Sequence, residues 1–120
     1  MPDEGQRVGR SSQRKLRGSR EVQRVLKGGS ATRSKRVVVY LARGSGPPRA
    51  AWVAGRRVGG AVARNRARRL LREAWKEMSP RVEEGWQAVL VAREGIAGAR
   101  AQEMLEEVGE LLARAGVLSE

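Results

Sequence analysis

The sequence predicts an α/β two-layer sandwich in which helices pack on one small mixed sheet. Three features indicate this fold: two long segments with apolar residues at helical spacing, short runs rich in β-branched residues, and glycine or proline at the junctions. The predicted order of elements is α-β-β-α-β-α. A chain of 120 residues can bury the core of one such domain but not of two.

The domain is predicted to occupy residues 19–116. Residues 1–18 lack periodicity and are rich in Gly, Ser, Gln and Arg, so we expect a flexible basic N-terminal arm. Residues 117–120 are expected to form a short C-terminal tail.

The first helix is predicted at about residues 20–27. Ser19 is a suitable N-cap, Glu21 is favourable in the first turn, and the glycines at 28–29 predict the end of the helix. This helix is expected to bury three apolar side chains, Val22, Val25 and Leu26.

Three runs are predicted to be strands. VVVYL at 37–41 is β-branched and aromatic, GSGPP at 44–48 predicts a turn, AAWVA at 50–54 is the returning strand, and WQAVLVA at 86–92 is the third. The basic segment with Ser and Thr before residue 37 is expected to be a loop. Alternation places Val38 and Tyr40 on one face of the first strand, and Ala50, Trp52 and Ala54 on one face of the second. The sequence leaves open which faces are buried.

The central helix follows the second strand and ends before Ser79-Pro80. From residue 63 its apolar residues recur at i, i+4, i+7, i+8, i+11, i+12 and i+15, which is the spacing of one buried stripe. The stripe consists of Ala63, Ala67, Leu70, Leu71, Ala74, Trp75 and Met78.

The opposite side of this helix carries a dense set of cations. Like charges three and four positions apart repel by a few tenths of a kcal/mol per pair, so helix stability does not explain them. Guanidinium groups bind phosphate oxygens bidentately and stay charged at every accessible pH, which predicts a nucleic-acid partner. The residues on this side are Asn65, Arg68, Arg69, Arg72 and Lys76, with Arg64 and Arg66 at its two flanks.

Charge is distributed unevenly along the chain. Residues 5–72 contain 20 basic residues and one acidic residue, a balance of +19, whereas residues 83–120 contain three basic and eight acidic residues, a balance of −5. The acidic part includes a last amphipathic helix at about residues 99–115, with its glutamates turned outward. A field on one side of the molecule is typical of a nucleic-acid binder. No apolar run approaches the roughly 20 residues of a membrane span, so we expect a soluble, cytoplasmic protein without a membrane partner.

The composition argues against a catalytic site on the protein itself. The chain has no His and no Cys, and its one Asp, Asp3, lies in the predicted arm. General acid–base catalysis usually needs His or a paired carboxylate, and zinc sites need His or Cys ligands. We therefore expect no metal site, no small-molecule substrate and no self-contained active site.

Two motifs lie around the start of the central helix. GRRVGG at 55–60 lacks the Walker spacing, because Gly60 is followed by Ala61 and Val62, and is interpreted as a tight strand-to-helix turn that can also contact phosphate. The triplet RNR at 64–66 contains the only Asn of the chain, at a helical position where Asn is mildly disfavoured. Its amide can bond to phosphate, ribose or base, which favours binding over a merely solvated helix face.

These residues resemble the protein subunit of bacterial ribonuclease P. The signature is GRRVGGAVARNRARRLLRE at 55–73, with paired basic residues, Val-Gly, an Ala-Val step, Arg-Asn-Arg and a closing Arg-Glu. The resemblance extends to LRGSREVQRVL at 16–26, to Tyr40, and to VLVAREG at 89–95. About 100 of the 120 residues align in order.

The resemblance implies a sandwich with a left-handed βαβ crossover, an exception to the usual hand. It also implies that an RNA subunit uses Mg²⁺ to hydrolyse a phosphodiester and remove the 5′ leader of precursor tRNA. The protein would be an accessory subunit whose partners are the ribonuclease P RNA and precursor tRNA. The positions matching the family's RNA-facing motif are Arg56, Arg57, Arg64, Asn65, Arg66, Arg68, Arg69 and Arg72, and those matching its leader cleft are Val22, Leu26 and Tyr40.

This sequence departs from the family pattern at four positions. Val22 and Leu26 stand where relatives commonly carry Phe, so base stacking is not available there. Gly55 and Gly60 stand where relatives often carry Ser and Asn, which implies the loss of either a cap or a metal-proximal ligand at the start of the central helix. Two alternatives stay open: a purely structural RNA-binding protein of the ribosomal kind, and an autonomous nuclease, which the residue inventory disfavours.

Overall fold

The computed structural model describes residues 15–16 and 18–119. The described part contains three α-helices and four strands: α1 (Gly18–Gly28), β1 (Ser30–Arg33), β2 (Val37–Arg43), β3 (Arg49–Ala54), α2 (Ala61–Met78), β4 (Trp86–Ala92) and α3 (Ala101–Ala115). Most of the predicted N-terminal arm lies outside the described residues.

The four strands form one mixed sheet in the order β1-β2-β4-β3. β4 runs antiparallel to β2 and parallel to β3. Because β3 and β4 are parallel neighbours, α2 is the crossover that joins them. The α/β sandwich with a small mixed sheet is therefore confirmed.

The main core lies between one face of the sheet and the helices α2 and α3. Trp75 and Leu71 of α2 have no exposed surface, and they meet Val39 of β2 and Leu90 of β4 in one cluster. Full burial of such a side chain contributes about 1.5–3 kcal/mol. The predicted stripe of α2 is the buried side of the helix: Ala67, Leu71, Ala74, Trp75 and Met78 are buried, and Ala63 and Leu70 are half-buried.

On the other face of the sheet, α1 packs across β2 and β4. Val25 of α1 and Val89 of β4 are fully buried in this smaller cluster. The chain leaves α1 at Gly29, where an added Cβ would come within 2.4 Å of the carbonyl oxygen of Leu41. A glycine is therefore required at this position for α1 to approach β2 so closely.

Two predictions about the sheet need correction. The segment predicted as a loop forms β1, which pairs antiparallel with β2, so the predicted order of elements lacks one strand. β3 does run opposite to β2, as a returning strand would, but β4 lies between them and the two strands are not neighbours. The turn at residues 44–48 thus connects β2 and β3 across the width of β4.

The ends of the domain also differ from the prediction. α1 begins at Gly18, so Ser19 lies within its first turn and does not precede it. Residues 117 and 118, predicted as part of a tail, pack on the domain: Val117 is buried, and Leu118 forms an isolated bridge with Val82.

Candidate nucleic-acid interface

The outward side of α2 is solvent-exposed. Asn65, Arg69, Arg72 and Lys76 are exposed, and the helix has no acidic residue in its first turn. Cations near the positive end of a helix dipole are unfavourable without a nearby anion. The opposite side of α2 is committed to the core, so this basic face is held rigidly against the sheet. Arg68 on the same side and Arg64 at one flank are half-buried. We call the basic residues and the asparagine on this side of α2, together with the two flanking arginines, the α2 face: Arg64, Asn65, Arg66, Arg68, Arg69, Arg72 and Lys76.

The cations of the α2 face differ in their protein partners. Arg72 forms an ion pair with Glu73, at 3.5 Å between Nη2 and Oε2. Arg66, at one flank, donates from Nη2 to the carbonyl oxygen of Ala99 at 2.5 Å, which ties α2 to the segment before α3. Within the described residues, Arg64 and Arg69 have no ion pair. These two guanidinium groups are thus the ones most available for an external anion.

Asn65 and Arg68 interact with each other along the helix. Nη2 of Arg68 donates to Oδ1 of Asn65 at 2.5 Å. This hydrogen bond orients the amide, so its NH₂ group points away from Arg68 as a donor. Because Arg68 already occupies one acceptor site of this oxygen, fewer of the hydrogen bonds predicted for the Asn65 amide remain open to an RNA.

The paired basic residues occupy the turn between β3 and α2. Arg56 and Arg57 lie on a short 3₁₀ helix, Arg56–Val58, and both side chains are exposed. Arg57 is 3.6 Å from Glu94, in an ion pair too exposed to contribute much stability. Gly60 precedes α2 and gives it no side-chain cap, as the departure from the family pattern implied. The interpretation of GRRVGG as a strand-to-helix turn is confirmed.

The three residues of the predicted leader cleft meet on the α1 side of the sheet. Val22, Leu26 and Tyr40 are half-buried and pack against the cluster that contains Val25 and Val89. Tyr40 lies beside Val89 in the register of β2 and β4. These half-buried side chains form a partly exposed apolar surface between α1 and the sheet, at the position of the predicted cleft, and α2 lies on the opposite face.

The glutamates of α3 lie apart from the α2 face. Four glutamates of α3 border a groove with the segment 34–36. There Arg36 forms ion pairs with Glu103 and Glu107, at 3.8 and 3.4 Å. The backbone N–H of Arg100, at 2.9 Å, lowers the pKa of Glu103, and the charge of Arg36 adds to this effect. The molecule therefore exposes arginines on α2 and glutamates on the neighbouring helix α3, on different parts of its surface.

Neither a cluster of metal ligands nor a membrane-spanning helix is found in the described part of the chain. Residues 15–16 and 18–119 bring no three His, Cys, Asp or Glu side chains into a group that could hold an ion. In the same part of the chain, no helix is both long and apolar enough to cross a lipid bilayer.

A basic α/β sandwich with an arginine-rich helix, an adjoining basic turn and a partly exposed apolar surface beside α1 has the features of an RNA-binding domain. The family model described as Ribonuclease P matches residues 11–116. The chain belongs to the ribonuclease P protein family, and it is an accessory subunit of that tRNA-processing enzyme.

Individual relatives agree with this assignment. The chain is 41% identical over 88 residues to the ribonuclease P protein component of Symbiobacterium thermophilum, covering 73% of this chain and 76% of that protein. It is 33% identical over 103 residues to the component of Pelotomaculum thermopropionicum, covering 85% and 92%.

Solved structures share the fold. The RNase P protein of Staphylococcus aureus superposes with a TM-score of 0.77 at 20% identity, covering 88% of this chain and 97% of that one. The protein from Thermotoga maritima gives a TM-score of 0.74 at 23% identity, covering 83% and 96%.

Sequence reasoning missed two features of the surface. It did not predict that Trp52 lies beside the α2 face, or that Lys15 lies beside both. In the structure Lys15, Trp52 and Asn65 border one groove. No sequence signal reports this, because the three residues lie on separate elements and meet only through the tertiary fold.

Proposed function

We propose that the α2 face and the basic turn, which carries Arg56 and Arg57, bind the ribonuclease P RNA. We further propose that the cleft predicted between α1 and the sheet, at Val22, Leu26 and Tyr40, binds the 5′ leader of precursor tRNA. The observation that supports this most is the exposed α2 face, where Arg64 and Arg69 have no ion pair within the described residues. A row of guanidinium groups in which only Arg72 forms an ion pair within the described residues suits the phosphates of a folded RNA.

The cleft suits an extended single strand better than a duplex. Val22 and Leu26 provide apolar contact in place of aromatic stacking, and Tyr40 is the aromatic residue in the cleft. A tyrosine ring can stack on one base and its hydroxyl can donate a hydrogen bond. The leader would therefore be held by one stacking contact and by apolar contact.

Under this proposal the protein acts by binding and positioning. Phosphodiester hydrolysis would be carried out by the RNA subunit with its own Mg²⁺, in the cytoplasm. The arginines would offset phosphate repulsion between the catalytic RNA and the substrate, which is also what Mg²⁺ does. The protein is then expected to matter most when Mg²⁺ is scarce.

Reconstitution tests this proposal. The protein is mixed with a ribonuclease P RNA and precursor tRNAs that carry long or very short leaders, at low Mg²⁺. We expect faster cleavage with the protein than with RNA alone, and a larger gain for the long leader. Tyr40→Ala should remove most of the difference between the two leaders. No gain with either substrate would contradict the proposal, as would cleavage by the protein without RNA.

A further inference from the structure

A groove of about 450 Å³ lies where the edge strand β3 meets the α2 face. Volumes of about 300–1,000 Å³ are typical of sites for small ligands. We call it the Trp52 groove. Its principal lining residues are Lys15, Trp52, Asn65, Arg68, Arg69 and Arg72.

All charged side chains that line the Trp52 groove are cationic. The lining contains four basic side chains and no carboxylate, although Arg72 also pairs with Glu73 outside the lining. Three other grooves on the described surface each include at least one glutamate. An anion is therefore favoured in the Trp52 groove and opposed by a carboxylate in the others.

An aromatic ring distinguishes this groove from a plain phosphate site. Trp52 is half-buried, and Nζ of Lys15 lies 5.9 Å from the centroid of its ring. The ammonium group of Lys15 is therefore already within cation–π distance of the indole. The other two tryptophans lie in different environments. Trp75 is fully buried in the core, and Cζ of Arg43 lies 4.4 Å from the centroid of the Trp86 ring.

Asn65 adds a directed polar group to the groove. Because its Oδ1 accepts from Arg68, its NH₂ group can donate to a ligand. Base carbonyls, ring nitrogens and phosphate oxygens are all acceptors for such a donor. A flat ring, an amide donor and three guanidinium groups together match a nucleotide, which has a flat base and an anionic phosphate.

We propose that the Trp52 groove binds one unpaired nucleotide of an RNA, with its base stacked on the indole of Trp52. Arg68, Arg69 and Arg72 hold the adjoining phosphates, and Lys15 moves from the ring to a phosphate. This inference rests on the proposed RNA-binding role of the α2 face and adds a single-nucleotide site to it.

The groove also lies on a route between the two proposed RNA surfaces. Ala51, the neighbour of Trp52, faces the α1 side of the sheet and also lines the groove. The backbone N–H of Leu16 donates to the carbonyl oxygen of Ala50 at 2.9 Å, which positions Lys15 at this edge. The nucleotide can thus come from the ribonuclease P RNA or from the precursor tRNA leader.

The competing explanation is that Trp52 only fills space. Its indole packs partly against the main core, and it lies opposite Leu90 in the register of β3 and β4. Leucine at this position would keep the apolar packing and remove the stacking surface, whereas phenylalanine would keep a smaller ring. Trp86→Leu is a matched control that removes a half-buried tryptophan away from the groove.

The first experiment measures the affinity of the full chain for the ribonuclease P RNA, and separately the gain in affinity for precursor tRNA over mature tRNA. Trp52→Leu should weaken one of the two by roughly 5- to 150-fold, the range expected when one base no longer stacks on an aromatic ring. Trp52→Phe should have a smaller effect and Trp86→Leu should change neither. A lower affinity for the ribonuclease P RNA would identify that RNA as the source of the nucleotide. A smaller gain for precursor tRNA over mature tRNA would identify the leader.

The second experiment leaves Trp52 unchanged, so it does not require that a Trp52 variant folds. In Trp86→Phe the remaining tryptophans are Trp52 and the fully buried Trp75, so fluorescence quenching by added RNA reports on Trp52. We expect quenching by a single-stranded oligonucleotide and much weaker quenching by its abasic counterpart.

Two outcomes separate this inference from the proposed function. If Trp52→Leu binds both RNAs within twofold of the wild type, and Trp86→Phe shows no quenching, the nucleotide site is wrong while the role of the α2 face stands. If replacement of the α2 arginines also leaves binding unchanged, the proposed function fails as well.

Discussion

At the scale of single residues, the arginines of the α2 face have two kinds of environment. Arg69 is exposed and has no ion pair in the described part of the chain, whereas Arg66 donates to the carbonyl oxygen of Ala99. One group is free for an external anion and the other also links two elements. The same residue type in one motif thus serves both stability and binding.

This difference gives a prediction. Arg66→Ala should lower the free energy of unfolding by about 1 kcal/mol, because the carbonyl of Ala99 loses its partner. Arg69→Ala should leave stability unchanged, and both variants should bind RNA more weakly. Urea unfolding of the two variants measures this. Equal stability would mean that the bond to Ala99 does not persist in solution.

The sequence predicted the exposed positions of α2 well, because helical periodicity alone fixes which residues share a side. It could not predict that Arg66 bonds to Ala99 or that Arg68 bonds to Asn65. The first bond depends on how α2 packs beside the start of α3. The second depends on a rotamer choice.

At the scale of elements, α2 and α3 were predictable because their apolar residues recur at helical spacing, and β2 and β4 because they are short apolar runs rich in β-branched and aromatic residues. β1 was missed because it is a four-residue edge strand, SATR, with little buried surface. Local sequence patterns also could not predict that β4 lies between β2 and β3. A turn between two strands predicts their direction, but the insertion of β4 depends on the parallel pairing that the α2 crossover allows.

The start of α3 gives a prediction about pH. Glu103 accepts a hydrogen bond from the backbone N–H of Arg100, which lowers the pKa of its carboxyl. A lowered pKa in the folded state contributes stability that is present above the ordinary glutamate pKa and is lost as the pH falls through the lowered value. Glu103→Gln should therefore melt at a lower temperature than the wild type at neutral pH.

The difference in melting temperature should disappear in acid, where the wild-type carboxyl is protonated. Glu106→Gln on the same helix is a control, since Glu106 bonds only to Gln102 within the described residues. A difference for Glu103→Gln that is constant with pH would mean that the ionised form of this side chain does not cap α3.

At the scale of the whole molecule, the segregation of charge is the dominant feature. The chain carries a net charge of +12, yet α3 exposes glutamates while α2 exposes arginines. A polyanion is therefore attracted to one side and repelled from another, which orients the protein on its RNA. The protein supplies this orientation, and the RNA subunit is proposed to supply the chemistry.

The salt dependence of RNA binding tests the central claim most directly. We propose measuring the affinity for ribonuclease P RNA from low to high salt for the wild type, for the variant R64A/R68A/R72A, and for the control R81A/R100A/R114A. Both variants remove three positive charges, but only the first removes them from the α2 face.

The α2 variant should reduce the slope of log K against log salt by about 0.7–0.9 for each phosphate that the protein no longer neutralises, and the control should reduce it little. An unchanged slope for the α2 variant, or an equal change in both variants, would contradict the claim that the α2 face binds RNA phosphates.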